Sequence, residues 1–240
     1  MSDEYLFISD CHVDASKPEI TSNLLEFLQN RAKHARFLYI LGDLFEAWLG
    51  DDDHNPGNEA VIKSLQLLSK NTEIFFLAGN RDFLLGDKAA TEIGFRRIDD
   101  PTLLQLGELQ VALLHGDTLC TDDADYQTFR RMVREPNWQA QFLQKTLAER
   151  QAIAAALRVK SAEAMADKTV EIMDVSPDTV TSCFAESKVD IIIHGHTHRP
   201  AIHQYTDNRR RYVLGDWNPQ PSYLSWSSKL GFTLTDPRVV

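Results

Sequence analysis

Five times in this chain a short apolar run stops at an aspartate, an asparagine or a histidine. Residues 5–9 (YLFIS) end at Asp10 and His12. Residues 37–41 (FLYIL) lead through Gly42 to Asp43, and 74–78 (IFFLA) lead through Gly79 to Asn80. Residues 111–114 (VALL) end at His115, and 189–193 (VDIII) lead to His196 and His198. Such runs, alternating with helical patterns, read as buried strands of an α/β core. The helical patterns are Leu24, Leu25 and Leu28 on one face, and Val61, Ile62, Leu65 and Leu68 on another. Ligands of open α/β sheets gather outside the carboxyl ends of strands, so these polar residues can converge although they are far apart in sequence. Extended backbone points residues i and i+2 to the same side. That predicts that Asp10 and His12 share one centre while Cys11 turns away as a small buried apolar residue.

The seven candidate side chains are carboxylate, amide and imidazole, with no thiolate. This donor set suits manganese, iron or zinc and is too rich in nitrogen for calcium. Seven donors exceed what one tetrahedral ion accepts. They fit two ions about 3.5–4 Å apart, sharing a carboxylate and a bridging hydroxide. Asp43, a lone carboxylate after a central strand, is the candidate for the shared ligand. Neither G-x-S-x-G nor a Cys-His nucleophile signature is present.

Residues 211–214 and 231–235 suggest antiparallel hairpins late in the chain. A four-layer α/β/β/α sandwich accommodates both these and the parallel units. Residues 122–175 break the rhythm, with no convincing strand and a helix-forming stretch over 139–159. Pro136 marks a helix break or start. We read 1–240 as a single domain with 122–175 as an inserted helical cap. At 240 residues the chain is long enough for this.

The formal net charge of -10 argues against nucleic acid as a partner. Three cysteines without a CxxC pair fit a reducing compartment. No basic-plus-apolar leader opens the sequence, and no apolar run is long enough to span a bilayer. The expected setting is cytoplasmic.

The order DxH, GD, GN, H and GHxH resembles that of the calcineurin-like metallophosphoesterases. The third motif reads Gly79-Asn80-Arg81-Asp82, with arginine where that family usually has histidine. This departure puts a phosphomonoesterase or protein phosphatase in doubt. It points to the bacterial UDP-2,3-diacylglucosamine diphosphatases of lipid A synthesis, whose pattern is also similar in ISDCHVD, ILGDLFEAWLGDDD, HGDTLCTDD, IMDV, HGHTHRP and LGDW. The resemblance implies Asp10, His12, Asp43 and His198 around one manganese ion, and Asp43, Asn80, His115 and His196 around the other. It implies hydrolysis of UDP-2,3-diacylglucosamine to diacylglucosamine 1-phosphate and UMP by attack on the α-phosphorus. The enzyme would work as a peripheral protein on the cytoplasmic face of the inner membrane, with the helical insert over the acyl chains.

Arg81 would then clamp phosphate oxygens, with a salt bridge to a loop carboxylate as the alternative. Asp82 and His194 read as supporting residues. The resemblance marks Asp123, Tyr126, Arg158, Ser161, Met165 and Lys168 as further substrate contacts, with Asn80 and His196. Met165 departs from the more usual polar residue. Trp48, Phe83, Leu84, Leu85, Phe129, Met132, Trp138, Phe142 and Leu147 line either an acyl groove or the core. Arg130, Arg131 and Arg134 form either a basic patch against anionic lipid or a solvated helix face. The expected partners are an acylated UDP-sugar and membrane lipid, with no obligate protein partner and a monomeric chain. Two further readings stand beside this one: a two-metal phosphodiesterase acting on a soluble nucleotide, and a binding module with a vestigial metal site.

Overall fold

The computed structural model describes residues 3–166 and 172–239. Its strands are β1 (Tyr5–Ile8), β2 (Phe37–Leu41), β3 (Glu73–Leu77), β4 (Phe95–Ile98), β5 (Thr102–Leu106), β6 (Leu109–Leu113), β7 (Ile191–His194), β8 (Ala201–Gln204), β9 (Arg210–Val213), β10 (Tyr223–Ser227) and β11 (Gly231–Thr235). Its α-helices are α1 (Pro18–Glu26), α2 (Glu59–Leu68), α3 (Asp87–Ile93), α4 (Ala124–Arg134), α5 (Pro136–Leu143), α6 (Leu147–Ala166) and α7 (Pro177–Ser187). The strands form two sheets, ordered β11-β10-β1-β2-β3-β4 and β5-β6-β7-β9-β8.

The core strands carry unbroken apolar runs because both of their faces are buried. Leu6, Ile8, Leu38, Ile40, Ile74 and Phe76 pack outward with α1, α2 and α3. Their neighbours Phe7, Tyr39, Leu41 and Leu77 face the second sheet, meeting Val111, Leu113, Ile191 and Ile193. Ala112 and Ile192 face outward again, onto Val180 and Phe184 of α7. The order of layers is therefore α/β/β/α, as expected.

Register places the site. Within the first sheet Ile8 pairs with Ile40, and Leu41 with Leu77, in parallel. In the second, Leu113 pairs with Ile193, also in parallel. The loops leaving β1, β2 and β3 thus emerge side by side, as do those leaving β6 and β7. The β10–β11 hairpin is antiparallel, as read from sequence. By contrast β9 is a hairpin partner of β8 and runs parallel to β7.

Proline opens α1, α5 and α7 at the first turn, where a missing N–H costs nothing. The 139–159 stretch is not one helix: α5 ends at Leu143 and α6 begins at Leu147. Among the described residues, 124–166 hold three helices and no strand, and no helix is long and apolar enough to cross a membrane.

Candidate metal centre

The strand ends do not continue as extended backbone. Asp10, His12, Asp43, His196 and His198 all have positive φ, between 48° and 67°. This corrects the i, i+2 argument for Asp10 and His12: sharp left-handed turns, not a pleat, aim both side chains inward. Non-glycine residues adopt this region at a cost and persist there only when surroundings enforce it. The enforcement is visible. The Asp10 and His12 amides donate to the carbonyls of Gly42 and Asp43 at 3.1 and 2.9 Å, so the first two loops brace each other. Gly42 itself has φ 88°, and a β-carbon there would stand 2.6 Å from the His115 ring.

Each carboxylate is held by one oxygen and offers the other. Asp10 Oδ2 accepts from Ser9 Oγ at 2.6 Å and from the His196 amide at 2.9 Å. Its Oδ1 is buried without a hydrogen-bond partner, 3.4 Å from His198 Nε2 and 4.0 Å from His12 Nε2. Asp43 Oδ1 accepts from the Arg81 amide at 2.8 Å. Its Oδ2 lies 3.7 Å from His12 Nε2 and 3.8 Å from His115 Nε2, between the two histidines. Asn80 Oδ1 is 2.9 Å from His115 Nε2 and 3.0 Å from His196 Nδ1. All seven predicted side chains therefore meet in one centre.

Supporting groups set the imidazoles. His115 Nδ1 faces the Leu41 carbonyl at 2.9 Å and so keeps a proton there, which makes Nε2 the nitrogen that a metal would take. The Glu46 carboxylate stands 3.3 Å from His12 Nδ1 and 3.6 Å from Arg81 Nη1. Burial favours neutral Glu46, but His12, Arg81 and Arg158 outweigh it and bring the group down to about 2. Burial also opposes a charged His115, yet Asp43, Asp117 and Asp10 push it up to about 9. For His196 burial and His115 act together, lowering it to about 4.

Asp82 has the structural role expected. Fully buried, it accepts from the amides of Leu44 at 2.7 Å and Gly79 at 2.9 Å, tying the second and third loops together. Burial and then Asp43 push it up to about 6. His194 is buried against Arg211 Nη1 at 2.9 Å, and Cys11 is wholly buried. Arg81 pairs with Glu46, the loop-carboxylate alternative, and not with Asp82.

Other candidates sit at different distances from the centre. The Tyr126 ring lies 5.6 Å from that of His196, and its hydroxyl donates to Asp117 Oδ2 at 3.0 Å. Asp123 caps α4 by accepting from the Tyr126 amide. Arg158 Nη2 donates to the Glu46 carbonyl at 3.0 Å. Ser161 is exposed on α6 and, among the described residues, makes no hydrogen bond or ion pair to the seven. Lys168 and the side chain of Met165 lie outside the described residues.

Of the groove candidates, Trp48, Leu84, Leu85 and Phe142 are buried in the core, with Phe83 and Trp138 packed against it; Met132 is exposed. The basic patch is also redistributed. Arg130 Nε pairs with Asp117, and Arg134 turns inward onto backbone carbonyls, so of the three only Arg131 is left outward. Glu46 and Asp117 are the residues that sequence reasoning missed, and Arg134 was read there only as part of a basic face. Their acid or base character was visible, but their partners belong to distant loops.

These features define a class. The chain belongs to the calcineurin-like phosphoesterase family, whose profile matches residues 4–200, and it is a hydrolase. It is 49% identical over 219 residues to the UDP-2,3-diacylglucosamine hydrolase of Cellvibrio japonicus, covering 90% of this chain and 91% of that one. Identity to the protein of the same name from Chromohalobacter salexigens is 46% over 218 residues, covering 89% of each. Among solved structures an archaeal phosphodiesterase shares the fold with TM-score 0.50 at 14% identity, covering 97% of this chain and 98% of that one.

The family implies divalent metal ions, and the side chains present fit them. Asp10, His12 and His198 offer donor atoms within 4.8 Å of one another, and so do Asp10, Asp43 and His115. Donors bound about 2.0–2.2 Å from a common ion stand roughly 3.0–3.6 Å apart. The orphaned Asp10 Oδ1 is the atom such an ion would satisfy.

Proposed function

We propose that this hydrolase cleaves the pyrophosphate of UDP-2,3-diacylglucosamine, giving 2,3-diacylglucosamine 1-phosphate and UMP, with two manganese ions in the centre. The observation that carries the metal assignment is the position of Asp43 Oδ2, nearly equidistant from a histidine of each cluster. The substrate assignment is supported by the names of relatives at 46–49% identity. Asp10, His12, Asp43 and His198 would hold one ion, and Asp43, Asn80, His115 and His196 the other. Bound there, the ions supply Lewis acidity and a water-derived nucleophile at neutral pH. Arg81, beside the cluster and one-third exposed, clamps the phosphate oxygens, with Arg158 next to it on Glu46. The leaving group is a phosphate ester of low basicity. It needs little proton donation, which accounts for arginine in place of the family histidine.

Residues 122–175 act in this reading as the helical cap, with Asp123, Tyr126, Ser161, Met165 and Lys168 turned to the substrate. Contact with the cytoplasmic face of the inner membrane follows from a diacylated substrate that resides there. The burial of Trp48, Leu84, Leu85 and Phe142 favours a second reading, a phosphodiesterase acting on a soluble nucleotide. One assay separates them: hydrolysis of UDP-2,3-diacylglucosamine against UDP-N-acetylglucosamine, using metal-stripped protein with manganese restored and His115→Ala as control. Strong preference for the diacylated sugar, with UMP released, supports the first reading. Equal turnover of the unacylated sugar sinks it and leaves the second.

A further inference from the structure

We propose that Arg134 is a positioning residue for the loop that carries Asn80 and Arg81, so that α4 forms part of the metal centre's support. The proposal rests on the two-metal reading above. Arg134 is the last residue of α4. Its Nη2 donates to the Gly79 carbonyl at 2.8 Å and lies 3.4 Å from the Ala78 carbonyl. Its guanidinium carbon stands 5.0 Å from the centre of the Phe83 ring. One side chain therefore grips the loop on both sides of Asn80.

The loop depends on such contacts because it has left β3 and has no strand to pair its carbonyls. Asp82 secures the amide side, accepting from Gly79 N at 2.9 Å. Arg134 secures the carbonyl side with a charge-assisted hydrogen bond, stronger than a neutral one. Asn80 Oδ1 reaches both His115 and His196 only while this backbone stays in place. A β-carbon on Gly79 would run into the Asp43 carboxylate, so the loop has little room to settle elsewhere.

The grip is effective because α4 is itself anchored. Tyr126 Oη and Arg130 Nε both donate to Asp117 Oδ2, at 3.0 and 2.7 Å, and Gln127 Nε2 donates to the Asp117 carbonyl at 2.7 Å. Asp117 follows His115 by two residues. Thus α4 spans the two loops that present Asn80 and His115. A planar guanidinium bonds a carbonyl through its edge while its flat face lies on a ring, and a lysine ammonium has no such face to stack.

The test compares wild type, Arg134→Met and Arg134→Lys by manganese titration of the metal-stripped full chain and by amide hydrogen exchange. In Arg134→Met, one of the two manganese affinities should fall about tenfold or more, the range for lost outer-shell support. The Gly79 and Arg81 amides should exchange at least about tenfold faster as the loop opens locally. Arg134→Lys, which keeps the charge and the stem, should fall between and carries the test if the methionine variant does not fold. Manganese affinities within about twofold of wild type, with unchanged exchange at both amides, overturn the proposal. Neither readout uses a sugar nucleotide. A wild-type protein that leaves UDP-2,3-diacylglucosamine intact would refute the substrate reading without touching this result.

Discussion

The loops at the strand ends and the helices α4 and α6 are held in place by different physics. In the loops, backbone hydrogen bonds and buried carboxylates hold each side chain: Asp10, Asp43, Asp82 and His115 are all almost fully buried. The helices instead attach through arginines. Arg130 meets Asp117, Arg134 meets the Gly79 carbonyl, Arg150 meets the Leu49 carbonyl and the Asp52 carboxylate, and Arg158 meets the Glu46 carbonyl. Much of α6 is exposed, including Val159. The difference teaches a division of labour. The clustered carboxylates and imidazoles, whose geometry tolerates little error, sit on a packed core, while α4 and α6 are fastened by a few long side chains.

If that division holds, the largest effects come from the loops. Asp43→Asn removes the carboxylate between the clusters and should lower hydrolysis by more than about a thousandfold, about 4 kcal/mol in barrier. Loss of bound divalent metal measured by elemental analysis would trace the effect to the centre. Asp82→Ala leaves buried amides of Leu44 and Gly79 without an acceptor. It should cost about 3 kcal/mol in a urea unfolding series. Arg150→Met cuts the tie between α6 and Asp52 and should cost about 1–2 kcal/mol. Faster hydrogen exchange in that case should be confined to α6 and residues 49–53; global loosening would break the comparison.

The next effect is pH-dependent. In the metal-free protein His115 titrates at about 9, above the ordinary histidine value of 6.5. The raised value means that the protonated form stabilises the fold. That contribution is complete below pH 6.5 and is lost as pH rises towards 9. A metal at Nε2 must displace this proton, so apparent metal affinity should rise about tenfold per pH unit over that window. A flat affinity profile in isothermal titration would contradict it. Smallest of all, Arg131→Ala should change stability by less than about 0.5 kcal/mol, because among the described residues its guanidinium bonds only the Thr128 hydroxyl and is otherwise exposed.

The seven candidate ligands were legible in the chain because each lies within three residues of an apolar run or its glycine, and strand ends are local features. The short strands β4 and β8 were not legible, since their apolar content is low and pairing creates them. The DDD run, residues 51–53, ends one of the segments that carry the family resemblance, yet none of the seven candidate ligands belongs to it. Instead Asp51 accepts from Trp48 Nε1 and from the amides of Gly86 and Ala89, and Asp52 receives Arg150.

What the amino-acid order determined by itself was the alternation of strands and helices, the identity of the donors and their arrival at one edge of the sheets. What only the tertiary structure decided was how those donors are aimed and braced. The left-handed turns at Asp10, His12 and Asp43, the pairing of Glu46 with His12, and the inward turn of Arg130 and Arg134 depend on loops far away in sequence. A strand announces itself through the side chains it buries. A charged side chain takes whichever partner the fold brings within about 3 Å, and nothing nearby in the sequence specifies that partner.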